Sequence, residues 1–125
     1  MSMYYCAEEL ETLAKAVKAV PNFSRVVYQC AWNYSVYERA RLEANKYIDS
    51  HPTNRPTNER ERLQVACSRR FGEFWALLEV IEMMAEPYGT IHAGTIHDEI
   101  MELADGHDTI KARRKMREML RSLEA

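Results

Sequence analysis

The sequence lacks any run of 18 apolar residues and any Cys-x-x-Cys pair, and it has only four glycines and four prolines among its 125 residues. A membrane-spanning helix needs the long apolar run, and a zinc or redox cysteine motif needs the pair. The first ten residues also lack the basic and then apolar segments of a secretory signal or transit peptide. We therefore expect a cytoplasmic protein without a membrane segment.

The size and composition predict one folded domain covering residues 1–125. Hydrophobic residues make up 46% of the chain and charged residues 29%, which is typical of a globular protein rather than a disordered one. A chain of this length closes a single core. The three cysteines, Cys6, Cys30 and Cys67, fall on predicted apolar helix faces, and we interpret them as buried, reduced thiols.

Apolar residues recur at helical spacing in five segments, and no segment alternates as a β-strand does. The first predicted helix covers 5–19 and ends before Pro21. The second begins at Asn22 or Ser24 and runs to about 49, and the third covers about 59–86 with a capping box from Asn58. A short fourth helix begins at Thr95 and ends at Gly106, and Asp108 caps the fifth. The segment between the second and third helices is predicted to be a crossover loop.

The third helix is predicted to be the long central helix of an all-α, antiparallel bundle of four to five helices. Ten of the fourteen residues from Phe71 to Met84 are apolar, so neighbours should cover more than one of its faces. Gly72 within this helix suggests either the close approach of another helix or a tolerated accident. The predicted inward stripes of the second and third helices are, in turn, Phe23, Val26, Cys30, Tyr34, Tyr37, Ala44 and Ile48, and Leu63, Cys67, Phe71, Phe74, Leu78, Ile81 and Ala85.

Charge is unevenly distributed along the chain. Residues 71–107 contain eight carboxylates and no Lys or Arg, whereas the last eighteen residues contain six basic and three acidic side chains. Such an acidic region would attract a protein with a basic surface, for example one that handles nucleic acid. Alternatively, the basic last helix folds back and neutralises it.

The second helix carries a further candidate interface. Tyr28, Trp32 and Val36 lie one turn apart on the face opposite the predicted core, with Arg25 and Arg39 beside them, and exposed Tyr, Trp and Arg dominate protein interfaces. The alternative is that another helix covers this face. Arg41 falls within the core arc, where it must either extend to solvent or pair with a carboxylate. The predicted partner-binding residues are Tyr28, Trp32, Val36, Arg39, Glu79, Glu82, Glu86, Glu99 and Glu102.

A nucleic-acid-binding regulator is the first alternative. The predicted contact residues on the last helix are Lys111, Arg114, Lys115, Arg117 and Arg121. The isoelectric point of about 6.1 and the acidic fourth helix argue against it.

A metal-dependent nucleotide hydrolase is the second alternative. Glu102 and Asp105 match the Glu-x-x-Asp element of helical pyrophosphohydrolases, but Thr12 interrupts the preceding Glu-Glu-x-x-Glu element that would begin at Glu8. His92, His97 and His107 lie near acidic residues without the spacing of a known metal motif. No catalytic nucleophile or phosphate-binding loop is present, so we predict no cofactor and favour a non-enzymatic role.

In its size, segregated charge and lack of a catalytic signature, the chain resembles the small inhibitors carried by phages and mobile elements, including anti-CRISPR proteins. That resemblance implies a protein that binds and blocks another protein. The two long heptad-like helices could equally pair between chains as a homodimer.

Overall fold

The computed structural model describes residues 5–51, 57–105 and 107–125, and most of them belong to five α-helices. In chain order they are α1 (Ala7–Ala19), α2 (Phe23–Ser50), α3 (Asn58–Ala85), α4 (Ala93–Ala104) and α5 (Thr109–Glu124). A 3₁₀ turn, Glu86–Tyr88, continues α3 through Pro87. These residues contain no β-strand, so the prediction of an all-α bundle with a long third helix is confirmed.

Capping residues set the helix starts, and three of them differ from the sequence prediction. Thr57, rather than Asn58, caps α3 by accepting a hydrogen bond from the Arg60 amide at 3.1 Å. Asn22 occupies the cap position of α2 in a left-handed conformation, without a side-chain cap. The start of α4 lies at Ala93 instead of Thr95, because the Glu82 carboxylate on α3 accepts from the Ala93 amide. A cap supplied by another helix leaves no local signal.

The predicted cap of the fifth helix is confirmed, whereas two other predicted features fall on residues that the structure does not describe. Asp108 caps α5 as predicted, by accepting from the Lys111 amide at 3.0 Å. Gly106, the predicted end of the fourth helix, and residues 52–56 of the predicted crossover loop lie outside the described residues.

The two longest helices, α2 and α3, form an antiparallel hairpin. Its rings pair in antiparallel register, with centroids 5.6 Å apart for Tyr34 and Phe74 and 5.2 Å apart for Tyr37 and Phe71. The hairpin is unevenly covered, because the other helices pack on only one end of it. Residues 58–73 contribute no buried side chain, so the predicted stripe of α3 enters the core only from Phe74 onward.

The core lies where α1, α4 and α5 pack on the covered end of the hairpin. Its largest buried side chains include Phe23, Phe74, Leu78, Ile100 and Met116. On α2 the buried arc is shifted and widened relative to the predicted stripe: Val27, Ala31 and Glu38 are buried, whereas Val26, Tyr37 and Ile48 are only half-buried. The reason is that α3 and α5 both pack against α2.

The cysteines differ in burial. Cys30 is fully buried, and burial raises the pKa of its thiol. Cys67 is half-buried, while Cys6 is exposed just before α1, which corrects the prediction that all three are buried. None of the described helices is both long and apolar enough to cross a membrane.

Two glycines have opposite environments. A Cβ built on Gly72 would meet nothing within 4 Å, so the close approach suggested by the sequence does not occur within the described chain. Gly89 has a φ of +143°, and a Cβ there would collide with the Thr12 hydroxyl. That hydroxyl is itself held by donating to the Glu8 carbonyl at 2.9 Å.

We expect Gly72→Ala to raise the free energy of unfolding by about 0.5–1 kcal/mol, because alanine is the better helix former and finds open space. Gly89→Ala should lower it by about 1–3 kcal/mol, because the backbone conformation is strained for an L residue. Urea denaturation of both variants at low protein concentration measures this. A destabilised Gly72→Ala variant would contradict the open environment of that position.

Candidate partner-binding surfaces

The basic helix α5 lies antiparallel along α2. The Ser24 hydroxyl donates to Glu124 at 2.9 Å at one end of the contact, and His107 lies against Glu38 at the other. Arg113 and Arg117 contact α2 between these ends. This helix also packs against α1 and α4. The location of α5 decides which of the predicted surfaces remain open.

The predicted aromatic face of α2 is partly covered by α5. The Arg113 guanidinium lies 4.1 Å from the Trp32 ring centroid, and that of Arg117 lies 4.7 Å from the Tyr28 ring and donates to the Tyr28 hydroxyl at 2.8 Å. Trp32 remains 46% exposed, and Val36 is half-buried beside the exposed Arg39. The aromatic rings therefore contribute to the docking of α5, and only part of their surface is available to a partner.

A cluster of charged and polar groups around one buried carboxylate, which the sequence analysis did not single out, lies beside this face. Glu38 is only 2% exposed, and its carboxylate accepts from Arg41 Nη2 at 2.5 Å and from Nε at 3.0 Å. His107 Nδ1 lies 2.5 Å from Glu38 Oε1. Of the two predicted fates of Arg41, pairing is the one observed. The three-residue spacing of Glu38 and Arg41 is visible in the sequence, but the approach of His107 is not.

The ionised form of Glu38 prevails despite its burial. Desolvation acts to raise the pKa of this carboxyl, but the hydrogen bonds from Arg41 and His107 outweigh it and hold the pKa below its ordinary value. Burial, with the Glu38 charge adding to it, raises the pKa of the neighbouring Tyr34 to about 12.

The carboxylates from Glu79 to Glu102 have three different environments. Glu79, Glu86, Asp98 and Glu102 are exposed, and we call these four the acidic strip. Glu82 is half-buried and caps α4. Glu99 is buried, so it cannot contact a partner, which corrects its assignment as a binding residue.

The acidic strip is not neutralised by α5. Within the described ranges, no ion pair joins any of its four carboxylates to a Lys or Arg side chain, and Glu79 accepts instead from Trp75 Nε1 at 3.0 Å. Asp105, which follows α4, does meet a cation of α5, because its carboxylate lies 3.1 Å from Lys111 Nζ.

The three histidines that the sequence placed near carboxylates lie in separate places. His92 is exposed in the loop before α4, and His97 packs against the Phe74 and Trp75 rings with centroids 5.8 and 5.9 Å away. His107 belongs to the Glu38 cluster. In the parts of the chain that are described, no three His, Cys, Asp or Glu side chains lie together as metal ligands would. The carboxylates near Glu8 and Glu102 thus do not form such a group.

The basic residues of α5 divide into two sets. Lys111, Arg113 and Arg117 contact Asp105, Trp32 and Tyr28, respectively. Arg114, Lys115 and Arg121 are exposed.

Comparison of the chain with family models, with curated proteins and with solved structures finds no match. Interpretation of these surfaces therefore depends on their own geometry.

We expect Glu38→Gln to lower the free energy of unfolding at pH 7 by about 1.5–3 kcal/mol, because charged hydrogen bonds are lost inside the protein. The matched control is Glu59→Gln, because Glu59 pairs with Arg62 in the same geometry on the exposed surface. That control should leave stability nearly unchanged.

The contribution of Glu38 to the free energy of unfolding should decrease at acidic pH. Because its pKa is lower in the folded protein than the ordinary value of 4.5, the stabilisation is complete above that value and is lost as pH falls through the folded-state pKa. Urea denaturation of wild type and Glu38→Gln at a series of acidic pH values measures this. The difference between their free energies of unfolding should become smaller as the pH falls. A difference that is constant at all pH values would contradict this.

We expect Arg113→Gln to destabilise the fold by about 0.5–2 kcal/mol, because it removes the cation from the Trp32 ring. The neighbouring Arg114→Gln is the control, since Arg114 is exposed. A double-mutant cycle of Arg113→Gln with Trp32→Leu should be non-additive. Additive effects would mean that the guanidinium and the ring do not stabilise each other.

Proposed function

We propose that this chain is a non-enzymatic protein-binding module that engages a basic surface of its partner through the acidic strip. The observation that carries the proposal is the position of α5, which places Arg113 and Arg117 on the α2 rings while the four carboxylates stay exposed. Exposed carboxylates steer and orient a positively charged partner.

Apolar surface beside the carboxylates supports protein rather than small-ion binding. Met101 is exposed on α4 between Asp98 and Glu102, and methionine adapts its shape to varied partner surfaces. Interfaces combine such apolar contact with a polar rim, and the rim charges mainly set orientation and association rate.

The partner class follows from the charge. Proteins that bind nucleic acid present basic surfaces, because phosphate neutralisation dominates their affinity. A module that occupies such a surface through carboxylates competes with nucleic acid for it. This is the finer proposal: an inhibitor of a nucleic-acid-handling protein, of the type carried by phages and mobile elements.

The test compares two triple variants with equal charge change. Glu79→Lys, Glu86→Lys and Glu102→Lys together reverse three of the four charges of the acidic strip. The control changes Glu43, Glu118 and Asp49, which are exposed elsewhere, to Lys. Each immobilised protein is exposed to extract of the native host cells, and the bound proteins are quantified. We expect a basic protein that binds wild type and control, is lost with the strip variant, and is displaced by added nucleic acid.

Binding that survives reversal of the strip, or that the control variant loses equally, would contradict the proposal. Circular dichroism confirms that each variant is folded. Arg113→Gln serves as a third arm, because it loosens the α2–α5 contact while leaving the strip intact.

A second candidate function, nucleic-acid binding through α5, is favoured by one observation. Arg114, Lys115 and Arg121 are exposed, and no ion pair with a carboxylate joins them within the described part of the chain. Labelled single-stranded and duplex DNA would bind with an affinity that falls steeply as salt rises. Unchanged affinity after Arg114→Glu, Lys115→Glu and Arg121→Glu together would exclude this function.

A further inference from the structure

The outer face of α3, opposite its core residues, is apolar and exposed. Its residues, which we call the outer stripe, are Val65, Gly72, Ala76, Val80 and Met83, and all five are exposed. They follow one another at steps of seven, four, four and three residues, so they share one side of the helix. Val65 is 67% and Met83 70% exposed, which leaves large apolar side chains in contact with water.

The centre of the outer stripe suits the close approach of a second helix. Gly72 and Ala76 lie one turn apart there, and the space beyond Gly72 is open. Larger side chains, Val65 and Met83, lie two and a half turns to either side of this small centre. Small residues at a crossing point let two helices pack closely, because interaxial distance depends on the side chains at the contact.

The charges along α3 select which helix fits. Residues 58–70 contain four arginines and two glutamates, whereas residues 71–86 contain four glutamates and no Lys or Arg. One half of the helix is therefore basic and the other acidic. An α3 from a second copy complements this pattern when it runs antiparallel, because each basic half then lies along an acidic half. A parallel copy would place like charges together.

We infer that two copies of this chain associate through the outer stripes of their α3 helices, packed antiparallel about a two-fold axis near Gly72 and Ala76. In this arrangement Val65 of one copy lies opposite Met83 of the other. The stripe runs over 19 residues, from Val65 to Met83, or roughly 27 Å of helix. A single helix pair of this length buries less surface than a permanent dimer does, so the association is weak and depends on concentration.

Sedimentation velocity of the full chain, from low-micromolar to near-millimolar concentration, tests the association. Wild type should shift from monomer to dimer, and Ala76→Glu should weaken the dimer ~10-fold or more, because it would place a carboxylate opposite Gly72 of the other copy, in the closely packed centre of the contact. Ala7→Glu is the matched control, because Ala7 is exposed on α1, away from the outer stripe. That variant should dimerise as wild type does. A wild type that stays monomeric throughout, or an Ala76→Glu variant that dimerises equally, overturns the inference.

Charge exchange tests the role of the two halves of α3. One variant carries Arg62→Glu with Arg69→Glu, and the other carries Glu79→Lys with Glu86→Lys. Each alone should remain monomeric, because its α3 repels its own copy, whereas an equimolar mixture should form a heterodimer. Self-association of either variant at wild-type strength overturns the charge complementarity.

Cross-linking tests the orientation. In a chain with Cys6→Ser and Cys67→Ser, one variant carries Val65→Cys and another Met83→Cys. Oxidation should link the two variants when they are mixed and leave each alone unlinked; linkage of each variant to itself indicates a parallel pair and overturns the inference.

The self-association inference goes beyond the proposed function and does not depend on it. Ala76→Glu retains every carboxylate of the acidic strip, so loss of the dimer with retained binding of a basic partner would separate the two surfaces. A dimeric wild type that binds no basic partner would leave the self-association intact and contradict only the proposed function.

Discussion

Contacts along the length of α5 hold it against α2: the Glu38–His107 pair, the stacking of Arg113 on Trp32, and the contact of Arg117 with Tyr28. Each contact uses a charged or polar group of the C-terminal segment, so the direction in which α5 runs is set by electrostatics as well as by its buried Met116. The rest of the surface follows from this placement. Arg113 and Arg117 lie over aromatic rings of α2 rather than beside the acidic strip, and its four carboxylates remain exposed.

Two ion pairs with the same geometry contribute differently to stability, because one includes a buried carboxylate and the other is exposed. Glu38 with Arg41 and Glu59 with Arg62 have the same spacing and the same hydrogen-bond distances, 2.5 and 3.0 Å. Water screens the exposed pair and competes for its hydrogen bonds, whereas the buried carboxylate depends on its partners to remain ionised. The lowered pKa of Glu38, in spite of desolvation, reflects that dependence.

The apolar run of the long helix α3 contains both core residues and exposed residues. The helices α1, α2 and α4 contact α3, and from Phe74 onward its inner residues are buried. Val80 and Met83 belong to the same run but face outward. Apolar composition alone could not assign them, because helix periodicity identifies faces without saying which of them a neighbour covers. The outward face is the basis of the inferred self-association, and the carboxylates beside it are the basis of the proposed function.

Local chemistry along the sequence determined the helical elements. Apolar spacing, Pro21, Pro87 and the Asp108 cap placed four of the five helices close to their observed bounds, because these signals act within one or two turns. The tertiary structure decided the rest. The start of α4 depends on Glu82 from another helix, the environment of Glu38 depends on His107 from the far end of the chain, and Glu99 is buried while Glu102 is exposed. Which charge meets which is set by how the helices pack, since side chains distant in sequence meet only after the fold has brought them together.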